Sequence, residues 1–283
     1  MNSDPANVLL EVSDSVAVVR LDRPQKLNAF TFRMIAEIRE AVERAACDES
    51  VVGIVVTGTG RAFSAGLDTS DLALSAAGAR PGSASKTATS AERSPDRAPD
   101  GELPALFSYL LQIPKPVIAA VNGVAAGGGF VLAMMCDLRF AAEGASFTTA
   151  FSKRGLIAEH GTSWILPRLV GVSRALDLLW SSRRFDATEA MRLGFVDRVV
   201  GGDRVVDEAC TYLRDLAANV SPRSLAVIKE QIYRHLSQEM APAIRESEQM
   251  MNQALAHPDA AEGVASFLER RAPRFKRWTG EKI

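Results

Sequence analysis

Apolar positions along this 283-residue chain fall into short blocks with two kinds of spacing. Near the start, "VLLEV" and "SVAVVRL" are compact apolar runs that read as strands, and "RPQKLNAFT" then turns the chain into a helix from about Thr31 to Cys47. In that helix Met34, Ile35, Ile38, Ala41, Val42 and Ala45 recur at helical spacing. Thr31 is placed as N-cap, with Phe30 set against Ile35 as a hydrophobic staple. The β-branched run "VVGIVVTGTG" predicts a buried strand over residues 51–57 followed by a glycine exit loop. "KPVIAAVNG" predicts another strand over 117–121, Gly127 to Met135 an apolar helix, and "DLRFAAEGASFT" two more short strands. This alternation argues an α/β fold.

Residues 75–101, "SAAGARPGSASKTATSAERSPDRAPDG", interrupt the pattern with Ala, Ser, Pro and Gly and almost no apolar bulk. Such a segment cannot offset its ordering entropy by burial and reads as a mobile loop or lid. Past Gly202 the strand signal stops. Helical periodicity continues in "VVDEACTYLRDLAANV", "SPRSLAVIKEQIYRHL", where Ser221 and Pro222 start a helix, and "GVASFLERRAPRF". The expected organisation is a core over residues 1–202 and a helical region over 203–283 that packs on itself or on another subunit.

Composition narrows the function classes. With 47% hydrophobic and 24% charged residues the chain can bury a large core, and a net charge of −1 gives no global field for nucleic acid or an anionic membrane. No stretch approaches a membrane span, and the start resembles neither a signal nor a transit peptide. The three cysteines, Cys47, Cys136 and Cys210, lack metal or disulfide spacing; each is expected to be a small core residue in a reducing, cytoplasmic setting.

Two loops carry glycines where a strand ends, "TGTGRAFSAGLD" and "NGVAAGGGF". Glycine lets backbone approach a ligand, and amides at a helix N-terminus point outward with the positive end of the helix dipole behind them. Two amides from different loops can hold one oxygen that becomes negative during reaction. Taken singly, either loop is better explained by tight helix packing or a turn, and the spacing is not that of a dinucleotide fingerprint.

Together, "RAFSAGLD", "KPVIAAVNGVAAGGG" and "LAMMCDLRFAAEGASF" closely resemble the crotonase family of enoyl-CoA hydratases and isomerases. The resemblance runs from "VVRLDRPQKLNAF" through "ATEAMRLGFVDRVV" to "FLERRAPRFK", nearly the whole chain. It implies a crotonase-like spiral of ββα units with a C-terminal helical trimerisation region, assembled as a homotrimer or a dimer of trimers. It implies an acyl-CoA substrate, with no cofactor beyond the CoA that is part of that substrate, and no metal. The family's two oxyanion amides fall on Leu67 and Gly128, and its CoA wall on Lys26, Leu27, Ala29, Ser64 and Ala65. Phe267 and Arg270 match positions that reach CoA from an adjacent subunit, although a solvated basic face also explains Arg270, Arg271, Arg274 and Lys276.

The two glutamates that family hydratases place around the acyl chain correspond to Val131 and Phe151, neither of which can move a proton. One carboxylate remains nearby in sequence, Glu159 in "GLIAEHGTSWILPRL", a position that is acidic in some family isomerases. With Val131, Phe151 and Trp164 as pocket wall, its surroundings should be apolar and its pKa raised. A single carboxylate that takes a proton from one carbon and returns it to another performs double-bond isomerisation. A helix cap on the amides of Thr162 and Ser163 is the competing explanation for Glu159. His160 could assist it, Asp68 should orient the first amide loop, Asp137 should be structural, and His235 and His257 should lie on the surface. Hydration with other proton carriers, hydrolysis of the thioester or of a carbon–carbon bond, and acyl-CoA binding without catalysis stay open.

Overall fold

The short apolar runs become the strands of two sheets. In the larger, β1 (Val8–Ser13), β2 (Val16–Leu21), β3 (Gly53–Gly58), β5 (Val117–Val121), β7 (Leu138–Ala142) and β10 (Arg198–Val200) lie side by side in that order. β1 and β2 pair antiparallel and the others parallel. The smaller sheet has the order β4 (Ala62–Ser64), β6 (Val124–Ala126), β8 (Ser146–Thr148), β9 (Phe185–Asp186). Each of the pairs β3 and β4, β5 and β6, β7 and β8 thus gives one strand to each sheet, and both sheets advance one position per pair. That is a spiral of repeating units. The computed structural model describes residues 6–68, 70–71, 103, 105–278 and 280, so the 75–101 segment lies outside the described residues.

The helices are α1 (Phe32–Cys47), α2 (Gly128–Met135), α3 (Thr162–Val170), α4 (Val172–Ser181), α5 (Ala187–Leu193), α6 (Val205–Asn219), α7 (Pro222–His235), α8 (Met240–Leu255) and α9 (Pro258–Glu269). The Thr31 hydroxyl accepts from the Met34 amide at 3.1 Å and caps α1. At α7, Ser221 caps and Pro222 opens the helix.

The central strands β3 and β5 are buried at every position, which is why they read as near-continuous apolar runs, whereas the edge strand β1 is largely exposed. Ala17, Val19, Ile54, Val56, Val117 and Ala119 face the main core, together with α1 and α2. Residues that alternate with them, Val16, Val55, Ile118 and Ala120, join a second cluster closed by Val205, Ala209, Cys210 and Leu213 of α6. The first helix past residue 202 therefore covers the large sheet. Among the described residues no helix is long and apolar enough to cross a membrane.

Four expectations need correction. The exit loops after β3 and β5 contain β4 and β6, strands of three residues that are too short to show a period of two. Cys47 is exposed, because it ends α1 on the side away from the core; Cys136 and Cys210 are buried, and burial pushes the Cys136 thiol up to about 12. His235 is half-buried, with Nε2 3.4 Å from Glu246 Oε2. His257 is also half-buried, and its Nδ1 accepts from the Asp259 amide to cap α9.

Candidate active site

Backbone bonds stitch the turn at residues 26–30 to the loop after β4. The Ala65 amide donates to Leu27 O at 2.9 Å, the Phe30 amide to Gly66 O at 2.7 Å, and the Asp68 amide to Phe30 O at 2.8 Å. The residues on either side of Leu67 are thereby used on the Phe30 side. Leu67 N points the other way, and among the described residues it donates to no acceptor.

The second glycine loop meets this one. A Cβ built on Gly66 would lie 2.6 Å from Ala126 O and 3.1 Å from Gly128 N, so only glycine admits so close an approach, and Gly66 has φ +90° as well. Gly128 is the first residue of α2, where the amides have no acceptor within the helix. It is preceded by Gly127 at φ +51° and ψ −117°. Leu67 N and Gly128 N therefore stand on two loops in van der Waals contact, both with donor capacity to spare. Chemically, such a pair can hold one oxygen as it gains negative charge.

Asp68 fastens the first loop. It accepts from Ser70 N at 3.2 Å and Ser70 Oγ at 3.0 Å, and it pairs with the Arg23 guanidinium at 3.4 Å. The Ser70 bonds, followed by Arg23, hold its carboxyl below the ordinary carboxylate range. Since the folded form binds the proton more weakly, this stabilisation is present above about pH 3.8 and is lost as pH falls through the lowered value. Asp68→Asn should keep the Ser70 bonds but lose the Arg23 pair. Urea unfolding at pH 7 should register a loss of about 1 kcal/mol, shrinking toward zero in strong acid.

The remaining expected CoA positions separate into three groups. Lys26 is exposed, and Leu27, Ala29 and Ala65 are half-buried along the stitched turn. Ser64 is fully buried, donates to Asn28 O at 2.8 Å and accepts from Gly66 N, so its side chain shapes the loop from inside and is no part of an open wall. Phe267 and Arg270 are exposed at the end of α9, far along the chain from this turn. Arg271, by contrast, is committed to Glu262 and Glu269.

Val131 and Phe151 both belong to the main apolar core, at 0% and 5% exposure. Trp164, on α3, is half-buried against the same core, with the Arg168 guanidinium 3.8 Å over its ring. Glu159 stands on the loop that enters α3. The following Gly161 is close enough to Met135, at the end of α2, that a Cβ would lie 3.0 Å from its methyl carbon. The Glu159 side chain is 36% exposed, so the enclosure expected of it is not found among the described residues of one chain; Leu156 and Ile157, on the loop before it, are themselves exposed. Nor is it the helix cap: the Thr162 amide bonds to the Glu159 backbone carbonyl, and α3 starts without a side-chain cap. The carboxylate instead faces His160, Oε2 to Nε2 3.6 Å.

Sequence reasoning overlooked Asn28 and Arg23. The Asn28 side chain, wholly buried, accepts from Arg23 N and donates to Thr59 O and Ala62 O, while the Arg23 guanidinium donates to Ala29 O at 2.6 Å. Asn28 has φ +54°, and an Asn beside a turn was the available signal. Among the described residues no group of His, Cys, Asp or Glu is arranged to hold a metal ion.

The family model for enoyl-CoA hydratase/isomerase matches residues 11–278. The chain belongs to the enoyl-CoA hydratase/isomerase family. It is 33% identical over 268 residues to the probable enoyl-CoA hydratase of Mycobacterium leprae, covering 95% of this chain and 97% of that protein. It is 34% identical, with the same coverage, to the 1,2-epoxyphenylacetyl-CoA isomerase of Escherichia coli strain K12. The crystal structure of an enoyl-CoA hydratase subunit I from Geobacillus kaustophilus superposes with a TM-score of 0.81 at 32% identity, over 98% of this chain and 100% of that one. The two-sheet spiral is thus the crotonase fold, and the chain is an acyl-CoA enzyme of this hydratase/isomerase family.

Proposed function

We propose that this family member isomerises a carbon–carbon double bond in an enoyl-CoA, with Glu159 as its single acid and base. The observation that carries this reading is the pair Val131 and Phe151, apolar and buried where a two-glutamate hydratase needs its proton carriers. The Leu67 and Gly128 amides would take the thioester oxygen, stabilising the enolate formed when a proton leaves the α-carbon. Glu159 would remove that proton and return it to the γ-carbon. Lys26, Leu27, Ala29 and Ala65 would follow the CoA chain, with Phe267 and Arg270 contributed by a second copy.

Assembly as a trimer or a dimer of trimers is part of the same reading. Its support is the row of exposed apolar side chains on the last helices, among them Ile232 and Met240, with Phe267 at 82% exposure.

The test is product analysis of trans-3-hexenoyl-CoA and trans-2-hexenoyl-CoA in ¹⁸O-labelled water. Isomerisation should interconvert the two with no label in the acyl chain. Labelled 3-hydroxyhexanoyl-CoA would establish hydration, the reaction for which several relatives are named, and labelled hexenoate would establish hydrolysis.

A further inference from the structure

His160 adopts φ +54° and Gly161 φ +76°, and the Thr162 amide closes back on the Glu159 carbonyl at 3.1 Å. Two left-handed residues inside such a closure are the pattern of a type I′ turn, with Glu159 first and His160 second. Glycine or asparagine would sit there with less strain than histidine, whose Cβ crowds the following carbonyl in the left-handed region. The turn sets the imidazole beside the carboxylate, Nε2 3.6 Å from Oε2, with the His160 side chain 34% exposed. An ion pair this exposed adds little to stability even when the imidazole is protonated. What the pair does offer is an imidazole open to water beside the carboxylate. Strain held at a site, beside a group with a chemical task, points to a role in that task.

We propose that His160 is a positioning and proton-relay partner of Glu159. The inference rests on the assignment of Glu159 as the acid/base. During isomerisation Glu159 takes a proton from the α-carbon of a 3-enoyl thioester, and the electron pair moves onto the thioester oxygen at the two amides. The carboxylic acid then has two routes. It gives the same proton to the γ-carbon, or it passes it to His160 Nε2, forming an imidazolium that exchanges with water and hands back a proton of solvent origin. Both routes end in the 2-enoyl thioester with carboxylate and neutral imidazole restored. They differ only in where the γ-proton came from.

The two routes are separated by turning over trans-3-hexenoyl-CoA in D₂O and measuring deuterium at C4 of the 2-hexenoyl-CoA product by mass spectrometry. His160→Gly keeps the left-handed turn and removes the imidazole. It should lower deuterium per turnover and kcat, each by a factor on the order of 10, below the 10²–10⁴ of a group acting directly on substrate, with KM within about twofold of wild type. His160→Asn tolerates the same backbone and keeps a polar group beside Glu159, so it should restore much of kcat while leaving deuterium low. Unchanged deuterium content in His160→Gly overturns the relay whatever happens to kcat, as does wild-type deuterium content in His160→Asn. Retained isomerisation by Glu159→Gln overturns the Glu159 assignment itself, an outcome distinct from failure of the relay.

Discussion

Glu159→Gln is expected to cut turnover of trans-3-hexenoyl-CoA by about 10²–10⁴-fold while leaving the affinity for hexanoyl-CoA within about twofold of wild type. The amide has nearly the shape and hydrogen-bonding reach of the acid but cannot accept and return a proton. The fold has little stake in this carboxylate: it is 36% exposed, does not cap α3, and faces His160 at 3.6 Å. Binding should survive because the thioester oxygen would meet backbone amides, which the substitution leaves in place. Absorbance of the conjugated product gives kcat, and calorimetry with hexanoyl-CoA gives the affinity. A variant with kcat near wild type would remove Glu159 from the chemistry; one that has also lost hexanoyl-CoA binding would show that the residue shapes the pocket.

Much of this arrangement is legible in the sequence, for identifiable reasons. The centre of the large sheet announced itself because residues 53–58 and 117–121 are buried on both faces and so carry a single polar side chain, Thr57. α1 was legible because one face meets the core, giving Met34, Ile38, Ala41, Val42 and Ala45 their spacing. β4, β6 and β9 were not, since strands of two or three residues hold too few positions for any periodicity. The glycines suggested backbone amides, but which atoms they bring together depends on a contact between Gly66 and Gly128, more than 60 positions apart, that no local pattern encodes. Glu159 was visible as a residue type in a motif. Its setting was not, because whether a loop carboxylate is enclosed or shares a turn with His160 is decided by the backbone at Gly161 and by what packs around it.

Lys229→Met should destabilise the chain by about 3 kcal/mol, because it leaves a half-buried carboxylate without its buried cation. Lys229 Nζ donates to Leu110 O at 2.9 Å, Lys115 O at 3.1 Å and Asp137 Oδ2 at 2.7 Å, so all three of its protons are used. Asp137 Oδ2 also accepts from the Val117 amide, and Oδ1 from the Tyr233 hydroxyl at 3.0 Å. Two residues of α7 thus close on the point where α2 ends and β5 begins. Burial pulls the Lys229 ammonium below its ordinary value, and Asp137 opposes that pull; burial and Asp137 together push the Tyr233 hydroxyl up. Methionine fills a similar volume, so the loss would be electrostatic rather than a cavity, with the Leu110 and Lys115 carbonyls and the carboxylate all deprived of a donor. Adding Asp137→Asn removes the orphaned charge, and the double variant should be less destabilised than the sum of the two single variants by about 1–3 kcal/mol. Urea unfolding of the four proteins measures this coupling directly. Additive losses would mean that Lys229 acts only through the two carbonyls.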